Sequence, residues 1–193
     1  MENERMEKEN TCLFCGQPLS RYGNRKILDG YLCRDCIKPA SPWLNDDDYE
    51  KMSLEDFKNH LAYREANKDA LEAFKEEKKV EGKYSLYLDE EKRQFLISKR
   101  KDYLKENADV FPIEQIRELS IFEDKFEDSE DVDLCFDLKL DNEQIDNVCF
   151  RVNEFPGLEK DSEQYEDALK LAFAYLNAFE EVDGIDFEQV EGE

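Results

Sequence analysis

From residue 131 to residue 140 the chain alternates without a break. Val132, Leu134, Phe136, Leu138 and Leu140 are apolar, and Asp131, Asp133, Cys135, Asp137 and Lys139 stand between them. A two-residue period of this length predicts a strand with one buried face. Val148, Phe150 and Val152 predict its hairpin partner, with Cys149 and Arg151 on the opposite side. Cys135 and Cys149 then share the more polar face. Without two further ligands beside them they read as free thiols rather than a second metal or redox site. Upstream, residues 84–88 (YSLYL) and 94–98 (QFLIS) read as strands joined by the charged turn 89–93. A further strand is expected over residues 117–123, after the apolar segment Val110, Phe111, Pro112 and Ile113. The acidic stretch 123–131 predicts a mobile loop.

Two segments carry the helical period instead. Ser53 opens the first with the capping-box pattern Ser-Leu-Glu-Asp. Leu54, Phe57, Leu61, Ala70, Leu71 and Phe74 follow at imperfect spacing, and residues 63–69 break the stripe. One weakly amphipathic helix or two shorter ones would fit. His60, the only histidine, lies here and reads as a surface or semi-buried side chain. The second helix is expected over residues 162–181, capped by Ser162 or Asp161 and stopped by Gly184. Its stripe is Tyr165, Ala168, Leu169, Ala172, Phe173, Leu176 and Phe179, taken to cover the inward faces of the last two strands. Between the N-terminal cysteines and the first helix, Pro39 and Pro42 bracket a connector. There Trp43 and Leu44 read as an apolar anchor. Residues 45–48 (NDDD) read as a solvated loop, because they lack the ligand spacing of a calcium loop.

Composition narrows the class. At 193 residues, 40% of them hydrophobic and thirteen of them Phe, the chain has room for a small module and one ordinary domain. Its formal charge is −23, and residues 106–193 account for −22 of it, with 28 acidic and 6 basic side chains. Such a half repels phosphates and anionic membrane surfaces. Direct nucleic-acid or membrane binding by the full-length chain is therefore not expected. The first ten residues, MENERMEKEN, are charged and lead into no apolar run, so they read as a frayed tail rather than a signal peptide. No stretch approaches the length of a membrane-spanning helix.

The chemistry is concentrated in residues 11–39, TCLFCGQPLSRYGNRKILDGYLCRDCIKP. Cys12, Cys15, Cys33 and Cys36 form two CxxC pairs with seventeen residues between them. Each pair aims two sulfurs at one point, and a hairpin can bring the pairs together into a tetrahedron. One structural Zn²⁺ per chain is the expected cofactor. A disulfide pair or a CxxC redox centre are the competing readings, and a redox CxxC would be expected beside a βαβ pattern. Gly16 permits the positive φ of a tight metal-binding turn. Asp29-Gly30 is a hairpin signal between two short apolar runs. A thiolate site without a secretion signal points to a reducing compartment, most simply the cytoplasm. Arg21, Arg25, Lys26, Arg34 and Lys38 make this module basic, but four thiolates and one Zn²⁺ together contribute −2, which leaves little for phosphate binding. No phosphate loop, GxSxG elbow or HExxH helix is present, and four sulfurs leave a zinc ion no open position. No enzymatic activity is expected, so no catalytic and no cofactor-binding residues are assigned beyond the metal ligands.

The patterns CLFCG and KILDGYLCRDC, followed by a helix beginning SLEDFKNHLAYREANK, resemble the bacterial domain-of-unknown-function family numbered 4428, described as a zinc finger or ribbon. The resemblance covers roughly residues 11–60 and implies that Cys12, Cys15, Cys33 and Cys36 are metal ligands. It also matches Gly16, Asp29, Gly30 and Tyr31 to the turn and hairpin. YSLYLDEEKRQFLIS followed by VFPIEQIRELSIF resembles small bacterial pleckstrin-homology-like domains. The resulting expectation is an α+β chain. A tail (1–10) precedes a zinc ribbon or treble-clef module (11–40), a helical connector (41–80), an acidic α+β domain (81–184) and an acidic tail (185–193). The domain should hold an antiparallel sheet of about five strands packed on the C-terminal helix. Its expected role is a zinc-stabilised protein-interaction module whose partner is another protein. The alternative is a nucleic-acid-related protein, either a ribbon that contacts nucleic acid or an acidic domain that imitates its charge.

Overall fold

The computed structural model describes residues 10–99, 102–126 and 129–183. The sequence tails at 1–9 and 184–193, including the expected stop at Gly184, lie outside the described residues. The fold is mixed α and β, with antiparallel pairing throughout the described strands. The chain divides into two compact units between Lys68 and Asp69.

In the first unit, strands β1 (Arg25–Ile27) and β2 (Gly30–Leu32) pair so that Ile27 faces Gly30. The two-residue turn is therefore Leu28-Asp29, one position earlier than expected, and Gly30 already belongs to β2. Helix α1 (Arg34–Ile37) follows at once. Residues 45–48 are not a solvated loop. They start helix α2 (Asp46–Lys51), where Asn45 and Asp48 form a reciprocal capping box. The Asn45 side-chain oxygen accepts the N–H groups of Asp47 and Asp48, the Asp48 carboxylate accepts the Asn45 N–H, and the acids favour the positive end of the helix dipole. Helix α3 (Leu54–Ala73) is a single continuous helix that begins in this unit. Ser53 and Asp56 cap it reciprocally, as the sequence suggested. Cys12, Ile27, Leu32, Cys33, Ala40, Tyr49 and Phe57 form the core of the unit, so residues 40–57 pack with the cysteines.

His60 is fully buried, not at the surface. Its Nε2 accepts the Ser41 N–H at 3.0 Å, and its ring lies against Tyr63. It belongs to a buried line along α3 made of Phe57, His60, Arg64, Asn67 and Leu71, which Phe74 continues just past the helix end. The period is helical, but the middle three positions are polar. That is why hydrophobicity alone broke the stripe.

The second unit divides its strands between two sheets rather than one. Strands β3 (Lys78–Val80), β4 (Ser85–Asp89), β5 (Gln94–Ser98) and β6 (Val110–Pro112) form the first in that order. Between β5 and β6 lies the short helix α4 (Tyr103–Glu106). Strands β7 (Ile116–Lys125), β8 (Val132–Leu140) and β9 (Asn147–Arg151) form the second sheet. Part of the stretch taken for a mobile loop is strand, since residues 123–125 pair with 132–134. The apolar runs in β4 and β5 are continuous because both faces of that sheet are covered. Tyr87, Leu96 and Val110 meet Leu71, Phe74 and Tyr103 on one side.

Helix α5 (Glu163–Asp183) packs on β8 and β3. Phe136, Phe150 and Tyr175 form a triangle of ring contacts with centroids 5.5–5.7 Å apart, and Phe95 meets Phe179 edge-on at 5.0 Å. The buried stripe of α5 is rotated from the expected one. Ala168, Ala172, Tyr175, Leu176, Ala178 and Phe179 are buried, while Leu169 and Phe173 are only half-buried. Tyr175 takes a place that its hydroxyl made look polar, and that hydroxyl donates to the Tyr84 carbonyl. No helix among the described residues is long and apolar enough to cross a membrane.

Candidate metal centre

The first CxxC pair sits on a tight turn. Gly16 donates its N–H to the Cys12 carbonyl and Cys12 donates to Gln17, both at 2.8 Å. Gly16 adopts φ +72°, a conformation that costs an ordinary residue energy. Thr11 and Pro18 bridge across the base of this turn, and Leu19 donates to the Asn10 carbonyl. The second pair comes from the other end of the β1–β2 hairpin. Cys33 precedes α1 and Cys36 lies within it, where the N–H groups of Cys36 and Ile37 both reach the Cys33 carbonyl. A tight turn, a hairpin and the start of a short helix thus bring the two pairs together.

All four Sγ atoms lie within 4.8 Å of one another. Cys12 and Cys36 stand 3.8 Å apart, and Cys15 and Cys33 stand 3.7 Å apart. A tetrahedron with metal–sulfur bonds of about 2.3 Å has edges of about 3.8 Å. A disulfide would need sulfurs at about 2.05 Å, and the structure leaves all four free. The donor set therefore fits one tetrahedral ion and not a pair of disulfides.

Without a cation the sulfurs differ in how readily they ionise. Burial resists ionisation of Cys12. The N–H groups of Cys15, Cys33 and Phe14 outweigh it and draw the pKa down to about 6. One of these, the Cys33 N–H, lies 3.2 Å from the Cys12 sulfur. Burial, with the neighbouring thiols adding to it, pushes Cys36 far above its ordinary value. Four bare thiolates cannot share this space, and a divalent cation is what would let them ionise together.

Cys135 and Cys149 do fall on one face of the β8–β9 hairpin, but in offset register. Cys135 opposes Arg151 and Cys149 opposes Asp137. Burial, then the neighbouring Cys149 and Asp124, pushes Cys135 up to about 12, while partial desolvation and then Asp137 push Cys149, whose surface is exposed, up to about 11. Both are held as neutral thiols at ordinary pH. Among the described residues, no other group of three or more His, Cys, Asp or Glu side chains gathers as the four N-terminal cysteines do. His60 stands outside that group, its Nε2 already engaged by Ser41.

One supporting contact lies outside the cysteine pattern. Leu13 donates its N–H to the Tyr31 carbonyl, and its side chain lies over Gly30, where a Cβ would sit 2.9 Å from it. Only glycine lets the knuckle close on the hairpin. A strand glycine after Asp was the available signal, and it read as part of the turn.

No curated protein and no solved structure matches the chain. Residues 11–60, which contain all four cysteines, match the family described as a domain of unknown function, DUF4428.

Proposed function

We propose that this is a non-enzymatic, cytoplasmic protein-interaction module whose first unit is held together by one structural Zn²⁺ on Cys12, Cys15, Cys33 and Cys36. Zinc suits an all-thiolate tetrahedron, and four sulfurs leave it no position for water or substrate. The observation that carries the interaction reading is what the knuckle and hairpin display. Leu13, Phe14, Leu28 and Tyr31 are 38–66% exposed, and they sit on segments that meet through the contacts of Leu13 with Gly30 and Tyr31. Neighbouring exposed apolar and aromatic side chains mark protein-binding surfaces. Metal binding would hold that surface in one shape.

The nucleic-acid alternative draws less support. Arg25 pairs with Asp46 at 2.8 Å, Lys26 with Glu50 at 3.5 Å and Lys38 with Asp35 at 2.5 Å. Three of the module's five cations are thus answered within the first unit.

Affinity purification from the native host tests the proposal, comparing the wild type with a Phe14→Ser, Tyr31→Ser double variant of unchanged zinc content. A protein recovered only by the wild type is the expected result. Recovery that is nuclease-sensitive, or equal for both baits, would overturn it.

A further inference from the structure

The second unit contains a cleft of about 590 Å³. One wall is the β3–β4 turn at Gly82 and Lys83. The other is the loop from Val152 to Ser162, and the floor is the first turns of α5 with Ala168 and Leu171. Its size is that of ordinary ligand pockets.

The cleft is held open by bonds outside it. A Cβ on Gly82 would lie 2.2 Å from the Tyr175 hydroxyl and 3.0 Å from Leu171, so this wall fits flush against α5. Across the cleft, Asp133 Oδ1 accepts the Gly157 N–H and the Asn153 amide, both at 2.9 Å. Val132 and Leu158 exchange two backbone bonds at 2.8 and 2.9 Å. Preformed walls reduce the ordering cost of binding.

What lines the cleft indicates the chemistry of its occupant. Val152, Leu158 and Ala168 supply buried apolar surface, while Phe155 stands at the rim 76% exposed. Phe155 extends the apolar lining of the cleft out to its rim. The charged groups are Glu154, Glu159 and Asp167 against Lys83 alone. Neither Glu154 nor Glu159 forms an ion pair among the described residues. Asp167 meets only the exposed Lys170 at 3.1 Å. The loop and helix that form the other wall and the floor belong to residues 106–193, which carry −22.

We propose that this cleft docks a basic peptide segment of a partner protein. One bulky apolar side chain of that segment enters between Leu158, Ala168 and Leu171 beneath Phe155. Flanking Lys or Arg side chains meet Glu154 and Glu159. The inference rests on the protein-interaction reading and adds the partner's chemistry and a second surface. Charge complementarity selects this occupant, since an acidic segment would meet three carboxylates for one ammonium.

Panning the full-length, zinc-loaded chain against a phage-displayed library of random dodecapeptides tests it. Enriched peptides should share an aromatic or large aliphatic residue flanked by Lys or Arg. A synthetic peptide made from that consensus should bind about tenfold more weakly to Glu154→Lys, Glu159→Lys protein and to Phe155→Ala protein. The three side chains are exposed, so these variants keep the fold. The same peptide should bind undiminished to the Phe14→Ser, Tyr31→Ser variant. Enrichment of acidic or uncharged peptides, no enrichment, or binding indifferent to the charge reversal would overturn the proposal. If panning fails while the native-host partner is still lost with the Phe14 and Tyr31 variant, the cleft falls and the interaction reading stands.

Discussion

The carboxylate of Asp29 accepts the backbone N–H of Leu54 at 2.7 Å. Beside it, Leu28 donates its own N–H to the Met52 carbonyl at 3.0 Å. The hairpin turn between the two CxxC pairs thus caps helix α3 from outside. Removing that acceptor as Asp29→Ala should cost about 1 kcal/mol, the usual worth of a helix cap. Asp29→Asn should cost less. Trp43 is the only tryptophan and lies in the first unit, so urea unfolding of zinc-loaded protein followed by its fluorescence reads the effect directly. An unshifted midpoint for the alanine variant would show that the cap contributes nothing.

Metal removal should act on one unit only. The core of the first unit includes Cys12 and Cys33 and extends to Tyr49 and Phe57. Chelation, or Cys33→Ser, should therefore release residues 11–57 into rapid amide exchange, because a structural zinc site contributes folding free energy outright. Amides of β4, β5 and β8 should stay protected. Freshly purified protein should carry zinc at a ratio near one per chain. A metal-free first unit with native protection would refute the assignment.

Phe179 and Phe173 separate the observed stripe of α5 from the one its sequence suggested. Phe179 is fully buried with its ring edge-on to Phe95 at 5.0 Å, whereas Phe173 is half-buried. Phe179→Ala should cost about 3–5 kcal/mol, the range for a large core aromatic, and Phe173→Ala clearly less. Thermal melts at two protein concentrations should show both shifts independent of concentration. A reversed order of the two variants would restore the earlier stripe.

Acid should weaken the second unit through Asp133. Burial alone would raise its pKa. The Asn153 amide, the Gly157 N–H and Arg151 outweigh that and hold it below the ordinary carboxylate value. A carboxyl depressed in the folded state stabilises the fold above its unfolded pKa, near about 4. That stabilisation is lost as the pH falls through the folded value. Asp133→Asn should lower stability at neutral pH by about 2 kcal/mol, the scale of a charge-assisted bond. It should also flatten the decline below about pH 4. Parallel stability–pH curves for the two proteins would exclude this role.

The full-length chain should not shift duplex DNA at physiological salt. Residues 106–193 carry a net −22, and three of the cations within residues 11–40 are already paired. A shifted band at micromolar protein would contradict this.

The strands that alternate cleanly were legible in the sequence. Val132 to Leu140 and Val148 with Phe150 all turn inward, because nothing but the pleat decides their direction. The four cysteines were legible for a similar reason, since their spacing fixes where the sulfurs can meet. What escaped notice depends on partners distant in sequence. β3 is three residues long with two lysines, and only its pairing with β4 makes it a strand. His60, Arg64 and Asn67 are polar by type and buried by position. In α5, Tyr175 is buried where Phe173 was expected, because the Tyr84 carbonyl accepts its hydroxyl.

Gly82 limits how this protein can diverge. With the Tyr175 hydroxyl and the Tyr84 carbonyl pressed where a side chain would begin, that position tolerates no decoration without displacing the turn. The opposite rim bears no such restriction, since Glu154, Phe155 and Glu159 project into solvent. Mutational drift is therefore channelled to one lip of the cleft. Descendants of this chain could exchange one binding preference for another there while inheriting the facing wall unaltered.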